Sequence, residues 1–393
     1  MPIFLGICAV GVFAAGLLAV LAGWTSVTVA VHAALGVGAL PLIAGAMLHF
    51  VPVLTRSAGA PAALARLPLV LQGAGVLALL FVAGQAGFGG LHAAAALAWG
   101  GCAVLALWIV LRVRRTLGAP HPGWSWYFMA VLCLLGGLAA IVAAYVWPLA
   151  FTGLRLAHVR LNLFGFVGLT ALGTLHVLLP TVFGAPDPKT PSRLRQDLPL
   201  AFGGVLALAC AGLLPAPFDS GALLLGLTLY GVCVLKLAGA WWAAYGAKLW
   251  RDGVASLLVG ALGGLCVVLM VQAGEVFWAW GYPWLIGHAV HTVHVPSVFV
   301  LAFLLPLVSG ALSQLVPVWA HPGRVTPARL ACRALLARYG QCRALAHAAA
   351  GVSLAVGATI PALLFSAVAL ALFLGNVGRA WHAGVLGWAA WRN

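Results

Sequence analysis

Apolar residues run along this chain in long unbroken blocks, without the strict alternation of half-buried strands. The blocks fall at about residues 3–23, 27–54, 67–88, 91–111, 125–148, 156–183, 197–215, 220–243, 253–275, 283–318, 342–360 and 361–383. Each is long enough to cross ~30 Å of hydrocarbon as a helix. Lipid offers no partners to backbone N–H and C=O groups, so such blocks form helices rather than open strands. The pattern predicts an all-α membrane protein of about twelve transmembrane helices in a single polytopic domain covering residues 1–393. The break between the last two blocks is marked only by Thr359, Ile360 and Pro361. Residues 3–23 lack a charged leader, so they read as a first membrane helix rather than a signal peptide.

Composition supports lipid as the solvent. Of the 393 residues, 64% are hydrophobic and 6% charged, against about 25% charged in soluble chains. The formal net charge of +15 does not point to nucleic acid, because the basic residues are spread over many short connections and form no single patch. They alternate instead. Arg56 and Arg66 follow the second block, Arg112, Arg114 and Arg115 the fourth, Lys189, Arg193 and Arg195 the sixth, and Lys248 and Arg251 the eighth. Arg324, Arg329, Arg333, Arg338 and Arg343 follow the tenth. The other connections carry almost none, apart from Arg155 and Arg160. By the positive-inside rule, this predicts a bacterial-type inner membrane protein with both termini in the cytoplasm.

Three blocks carry one pattern. Residues 32–54 read HAALGVGALPLIAGAMLHFVPVL, residues 158–182 read HVRLNLFGFVGLTALGTLHVLLPTV, and residues 294–319 read HVPSVFVLAFLLPLVSGALSQLVPVW. Each opens on a histidine. Each has a glycine (Gly45, Gly173, Gly310) seven residues before a late proline (Pro52, Pro180, Pro317), with His49, His176 or Gln314 shortly before that proline. The prolines lie 128 and 137 residues apart, about four helices each time. The pattern predicts three pseudo-repeated four-helix units, about residues 1–120, 121–250 and 251–393, with the marked helix second in each.

The second, sixth and tenth helices run inward in this topology. His32, His158, His288, His291 and His294 therefore share a layer near the outer face. Polar groups inside a bilayer are costly and mark function, and imidazole is the commonest metal ligand and an axial ligand of haem iron. His32 on one helix with a histidine on the tenth meets the needs of a flat macrocycle, which takes ligands from opposite faces. On a helix, His288, His291 and His294 form a drifting stripe. Arg155 and Arg160, at the outer end of the sixth helix, are placed for haem propionates. His92, His121, His321, His347 and His382, near loops or helix ends, read as packing residues. Glu275, the only glutamate, reads first as a solvated helix-end carboxylate. The eight cysteines form no CxxC pair, and there is no P-loop, GxSxG or HExxH.

The segment His158 to Pro180 resembles one in the haem-copper oxidase subunit I superfamily: a histidine at helix entry, GF and GL steps, then a late histidine and LLP. The segment His288 to Arg324, ending AHPGR, is similar to NnrS-like proteins, which are haem- and copper-containing membrane proteins linked to nitric oxide stress. The resemblance implies twelve helices in three pseudo-threefold arcs. It implies haem b held by His32 and His294, a second haem on His291 or His288, and copper on His158. Three departures stand against a complete copper centre. The seventh block has no histidine pair, Asn162 stands where a tyrosine is expected, and the tenth helix has H-x-x-H. The implied activity is electron transfer, fed by a respiratory electron donor, or the handling of a diatomic gas such as nitric oxide or oxygen. That would make an oxidoreductase. The competing reading is a transporter for copper or a small solute, with His49, His176 and Gln314 along its path.

Overall fold

A computed structural model describes residues 2–184, 186–279 and 294–386. Its helices are α1 (Pro2–Leu21), α2 (Val27–Leu54), α3 (Ala62–Val82), α4 (Phe88–Arg114), α5 (Gly123–Val146), α6 (Pro148–Val182) and α7 (Thr190–Ala211). There follow α8 (Phe218–Tyr245), α9 (Gly253–Ala279), α10 (Val295–Ala320), α11 (Pro327–Ala337), α12 (Gly340–Ala355) and α13 (Thr359–His382). Among the described residues, eleven helices are long and apolar enough to cross a membrane. The protein is thus all-α and multi-spanning. The count falls one short of the twelve expected. Block 342–360 is helical, but α12 has only 16 residues, about 24 Å at ~1.5 Å per residue. It ends just before Gly357, whose φ of +81° is a left-handed conformation that glycine adopts without strain.

The charged stretch after α10 hides a helix that the apolar pattern did not reveal. Thr326 caps α11 by accepting from the Arg329 N–H at 3.2 Å. Cys332 and Leu336 are buried while Arg329 and Leu330 are not. Arg333 joins Asp252 at 2.9 Å and Gln314 at 3.0 Å. Arg343, fully buried, donates to the Leu336 carbonyl at 2.8 Å. Its cation lies at the C-terminal end of α11, where the helix dipole is negative.

The chain divides into two compact units. One comprises Ser26–Val177 and Pro186–Cys233, and the other Met1–Thr25, Leu178–Ala185 and Val234–Asn393. In the first, α2 packs on α3, α3 on α4, α4 on α5, α5 on α6, and α6 on α7. In the second, α9 packs on α10 and α12, α12 on α13, and α11 on α10 and α13. Each unit has one largely enclosed helix. The most apolar windows of α6 and α10 are 89% and 83% buried, against 28–61% for the other nine spans.

The three histidine-led helices share a local departure. Each widens from α to π geometry: α2 over Ala33–Ala39, α6 over Leu161–Leu169 and α10 over Phe299–Leu304. These stretches begin 19, 19 and 18 residues before Pro52, Pro180 and Pro317. Widening the ladder shifts carbonyls away from their α-helical donors, and a neighbouring side chain supplies one in each case. Gln72 of α3 donates to the Val37 carbonyl at 3.4 Å, and Tyr230 of α8 to the Phe164 carbonyl at 3.2 Å. His347 of α12 bonds the Leu301 carbonyl. The three carbonyls lie 15, 16 and 16 residues before their prolines.

Close glycine contacts seat these stretches. A Cβ on Gly75 would strike the Gly36 carbonyl, and one on Gly264 would strike the Ala302 carbonyl. Backbone cannot yield as a side-chain tip can, so Gly75→Ala should lower stability by about 1–3 kcal/mol through overpacking. Gly73, two residues away on α3, faces open space. Gly73→Ala should leave stability unchanged or raise it by up to about 1 kcal/mol. Thermal unfolding of the two variants in detergent checks the contrast, and equal losses would contradict the contact.

Candidate metal centre

The first unit brings two of the sequence-selected histidines together. Ser26 starts α2 by accepting from the Val29 N–H at 3.3 Å, which sets His32 in the second helical turn. The His32 Nδ1 donates to the Thr28 carbonyl at 2.9 Å. His158 sits in α6, and its Nδ1 donates across to the Gly137 carbonyl of α5 at 2.8 Å. A carbonyl can only accept, so each bond fixes its ring as the Nδ1–H tautomer. Each neutral ring then presents a lone pair on Nε2. Metal-ligating histidines commonly hold the second ring nitrogen in this way, which orients the ring and raises its basicity. His32, His158 and Arg155 lie within electrostatic range of one another. His32 and His158 are half-buried, and Arg155 is exposed.

Two supports of His158 were not visible as site residues. Asn162, one turn on, donates to the His158 backbone carbonyl at 2.7 Å. Its i+4 spacing on a helical pattern was the available signal. Gly137 had none, because its role depends on α5 packing against α6. A Cβ there would meet the Asn162 amide nitrogen at 2.6 Å.

The other predicted residues have local partners of their own or lie outside the described residues. Arg160 is buried and gives an Nη1 donor to the Leu208 carbonyl of α7 at 3.0 Å, so one of its donors serves the α6–α7 contact. His294 belongs to the second unit. It is the N-cap of α10, with extended backbone (φ −80°, ψ 93°), and its Nδ1 lies 2.9 Å from the Ser297 hydroxyl. Among the described residues α10 begins at Val295, directly after His294. His288 and His291 lie outside the described residues. Glu275 falls near the end of α9.

The three matched polar positions near the late prolines occupy different settings. His49 is exposed beside Phe50. His176 is buried, 3.6 Å from Asp197. Gln314 accepts from Arg333 and approaches the Thr181 carbonyl. His121 and His321 serve local connections, the first accepting from the Gly123 N–H and the second donating to the Val385 carbonyl.

Among the described residues, no group of three or more histidine, cysteine or acidic side chains gathers to hold a metal ion. No protein-family model matches the chain, and no curated protein matches it.

The Gly137 contact gives a direct test of the His158 geometry. Gly137→Val should push Asn162 and His158 out of register. Any metal retained on His158 should then bind about 10–100-fold more weakly, the usual cost of losing an outer-shell partner. Isothermal titration with Cu(I) against the unmodified protein measures it, and unchanged affinity would show that the Gly137 carbonyl does not orient the ring.

Proposed function

We propose that the chain is a haem-binding membrane protein related to haem-copper oxidase subunit I, acting in electron transfer or in handling a diatomic gas such as nitric oxide. The observation that carries this reading is the pair His32 and His158. Both have Nδ1 spent on a backbone carbonyl, both keep an Nε2 lone pair, and they lie in each other's field beside Arg155. This donor chemistry fits a metal group bound by imidazole. A site built from polypeptide ligands alone draws four or so from the chain. Haem iron takes one or two, because the macrocycle supplies the rest, which accords with the sparse histidines among the described residues.

In this reading His32 and His294 would hold a low-spin haem b, and Arg155, with Arg160, would face its propionates. His291 or His288 would serve a second haem, and His158 would hold copper in an incomplete centre. Such groups supply reversible one-electron chemistry and a position for a diatomic ligand. The chain's own residues do the rest. Thr28 and Gly137 fix the imidazole tautomers, Asn162 steadies the His158 backbone, and the apolar walls of α2 and α6 limit water. The matched π stretches and late prolines of α2, α6 and α10 support three four-helix units. The loop arginines support an inner membrane with the histidine layer toward the periplasm, where a respiratory donor would deliver electrons.

The test uses full-length protein purified from haem-replete cells. His32→Ala and His294→Ala should each abolish a low-spin haem absorption spectrum, while His92→Ala leaves it intact. His158→Ala should retain that spectrum and lose bound copper. Retention of the complete spectrum in both the His32 and His294 variants would overturn the ligand assignment.

A further inference from the structure

We propose that Arg338 and Arg379 form a clamp for the phosphate of an anionic phospholipid, built on the Tyr339 ring beside the last turn of α13. None of the haem ligands assigned above takes part. The Arg338 guanidinium lies 4.8 Å from the centroid of that ring and the Arg379 guanidinium 5.7 Å, both within cation–π range. All three side chains are exposed. The buried Asn376 amide ties the two arginines together. It donates to the Arg338 carbonyl at 2.6 Å and accepts from the Arg379 Nη1 at 3.2 Å.

The corner that presents the ring is fixed by backbone. Arg338 and Tyr339 alone join α11 to α12. Tyr339 is left-handed (φ 56°, ψ 24°), a conformation that a bulky residue keeps only when its surroundings impose it. Close contacts with the start of α9 impose it here. A Cβ on Gly340 would strike the Gly253 carbonyl, and one on Gly253 would strike the Ala337 carbonyl. Two guanidiniums held on one ring repel each other, and the charge around them adds to the conflict. Arg343, in the first turn of α12, is fully buried, and its Nε and Nη1 have no hydrogen-bond partner among the described residues. The start of α12 is the positive end of its dipole and has no acidic residue in its first turn. Among the described residues, no carboxylate pairs with Arg338, Arg343 or Arg379. Asp252, next to Gly253, is taken by Arg333 at 2.9 Å. Positive charge thus gathers at one corner, and an anion from outside relieves it. Guanidinium donors match phosphate oxygens in geometry as well as charge. The position favours a lipid as the source. Helix α13 has 24 residues, about 36 Å at ~1.5 Å per residue, more than the ~30 Å of hydrocarbon. Its last turn, which carries Arg379, therefore reaches the headgroup layer where phospholipid phosphates lie. Leu345 of α12 and Leu374 of α13 are exposed within two turns of the clamp and offer apolar surface to the acyl chains. A choline headgroup would bring a third cation to the corner, so the lipid is one with net negative charge.

Native mass spectrometry of the full-length protein, with dioleoylphosphatidylglycerol or dioleoylphosphatidylcholine added to the detergent, tests the clamp. The unmodified protein should retain phosphatidylglycerol in preference to phosphatidylcholine. Arg338→Gln and Arg379→Gln should each weaken that retention about fivefold, the share of one basic side chain at an anionic lipid surface. Arg324→Gln removes an exposed arginine of the connection between α10 and α11 and should leave retention unchanged. Tyr339→Gly should weaken it without lowering the unfolding temperature, because glycine holds a left-handed corner without strain. Unchanged retention in both clamp variants, or an equal loss in Arg324→Gln, would overturn the proposal. Displacement of the lipid by millimolar inorganic phosphate would also overturn it, by assigning the corner to a free anion.

Discussion

In hydrocarbon, a backbone carbonyl that loses its helical donor has no water to turn to, and the rest of this structure is arranged around that constraint. Eleven spans satisfy most of their backbone internally as helices. The π-helical stretches of α2, α6 and α10 depart from the regular α ladder. There the chain supplies donors from elsewhere: the Gln72 amide, the Tyr230 hydroxyl and the His347 imidazole. A π insertion inside a helix costs regular hydrogen bonding and is concentrated at functional sites. One carbonyl in each stretch is met at nearly the same distance, 15 or 16 residues, before the late proline.

The candidate metal centre follows from the same constraint. The π stretch begins one residue after His32 and three residues after His158, so both histidines sit at the transition from α to π geometry. Their rings satisfy two further carbonyls, of Thr28 and Gly137, and in doing so they leave Nε2 as the only open donor atom. The bond that holds each ring also selects the Nδ1–H tautomer and leaves the Nε2 lone pair open. At the other end of α6, Pro180 leaves the His176 carbonyl without its helical donor, and the Thr190 hydroxyl takes it at 3.3 Å.

Much of this was legible in the sequence because lipid writes strong rules. Apolar block length gave nearly every span, and glycine, proline and histidine at matched offsets singled out α2, α6 and α10. What remained hidden depends on packing between distant segments. The π geometry has no local signature that periodicity detects; it exists because Gln72, Tyr230 and His347 lie on other helices. Gly137 became a site residue only when α5 met α6. Asp197 looked like one of five scattered acids until α7 placed it beside His176. Helix α11 was hidden because 11 residues rich in arginine read as a charged loop, although their apolar positions bury one face. Gly357 did carry a readable signal, since glycine ends helices, and it shortens the block that had been counted as a twelfth span.

The haem reading rests on the donor chemistry of His32 and His158, and the most direct measurement is an optical spectrum with iron and copper analysis. It should be made on unmodified full-length protein from haem-replete cells. The account predicts a coloured protein with the absorption of a bis-histidine low-spin haem b and at least one iron per chain. A colourless, metal-free protein that is folded and monodisperse would contradict it.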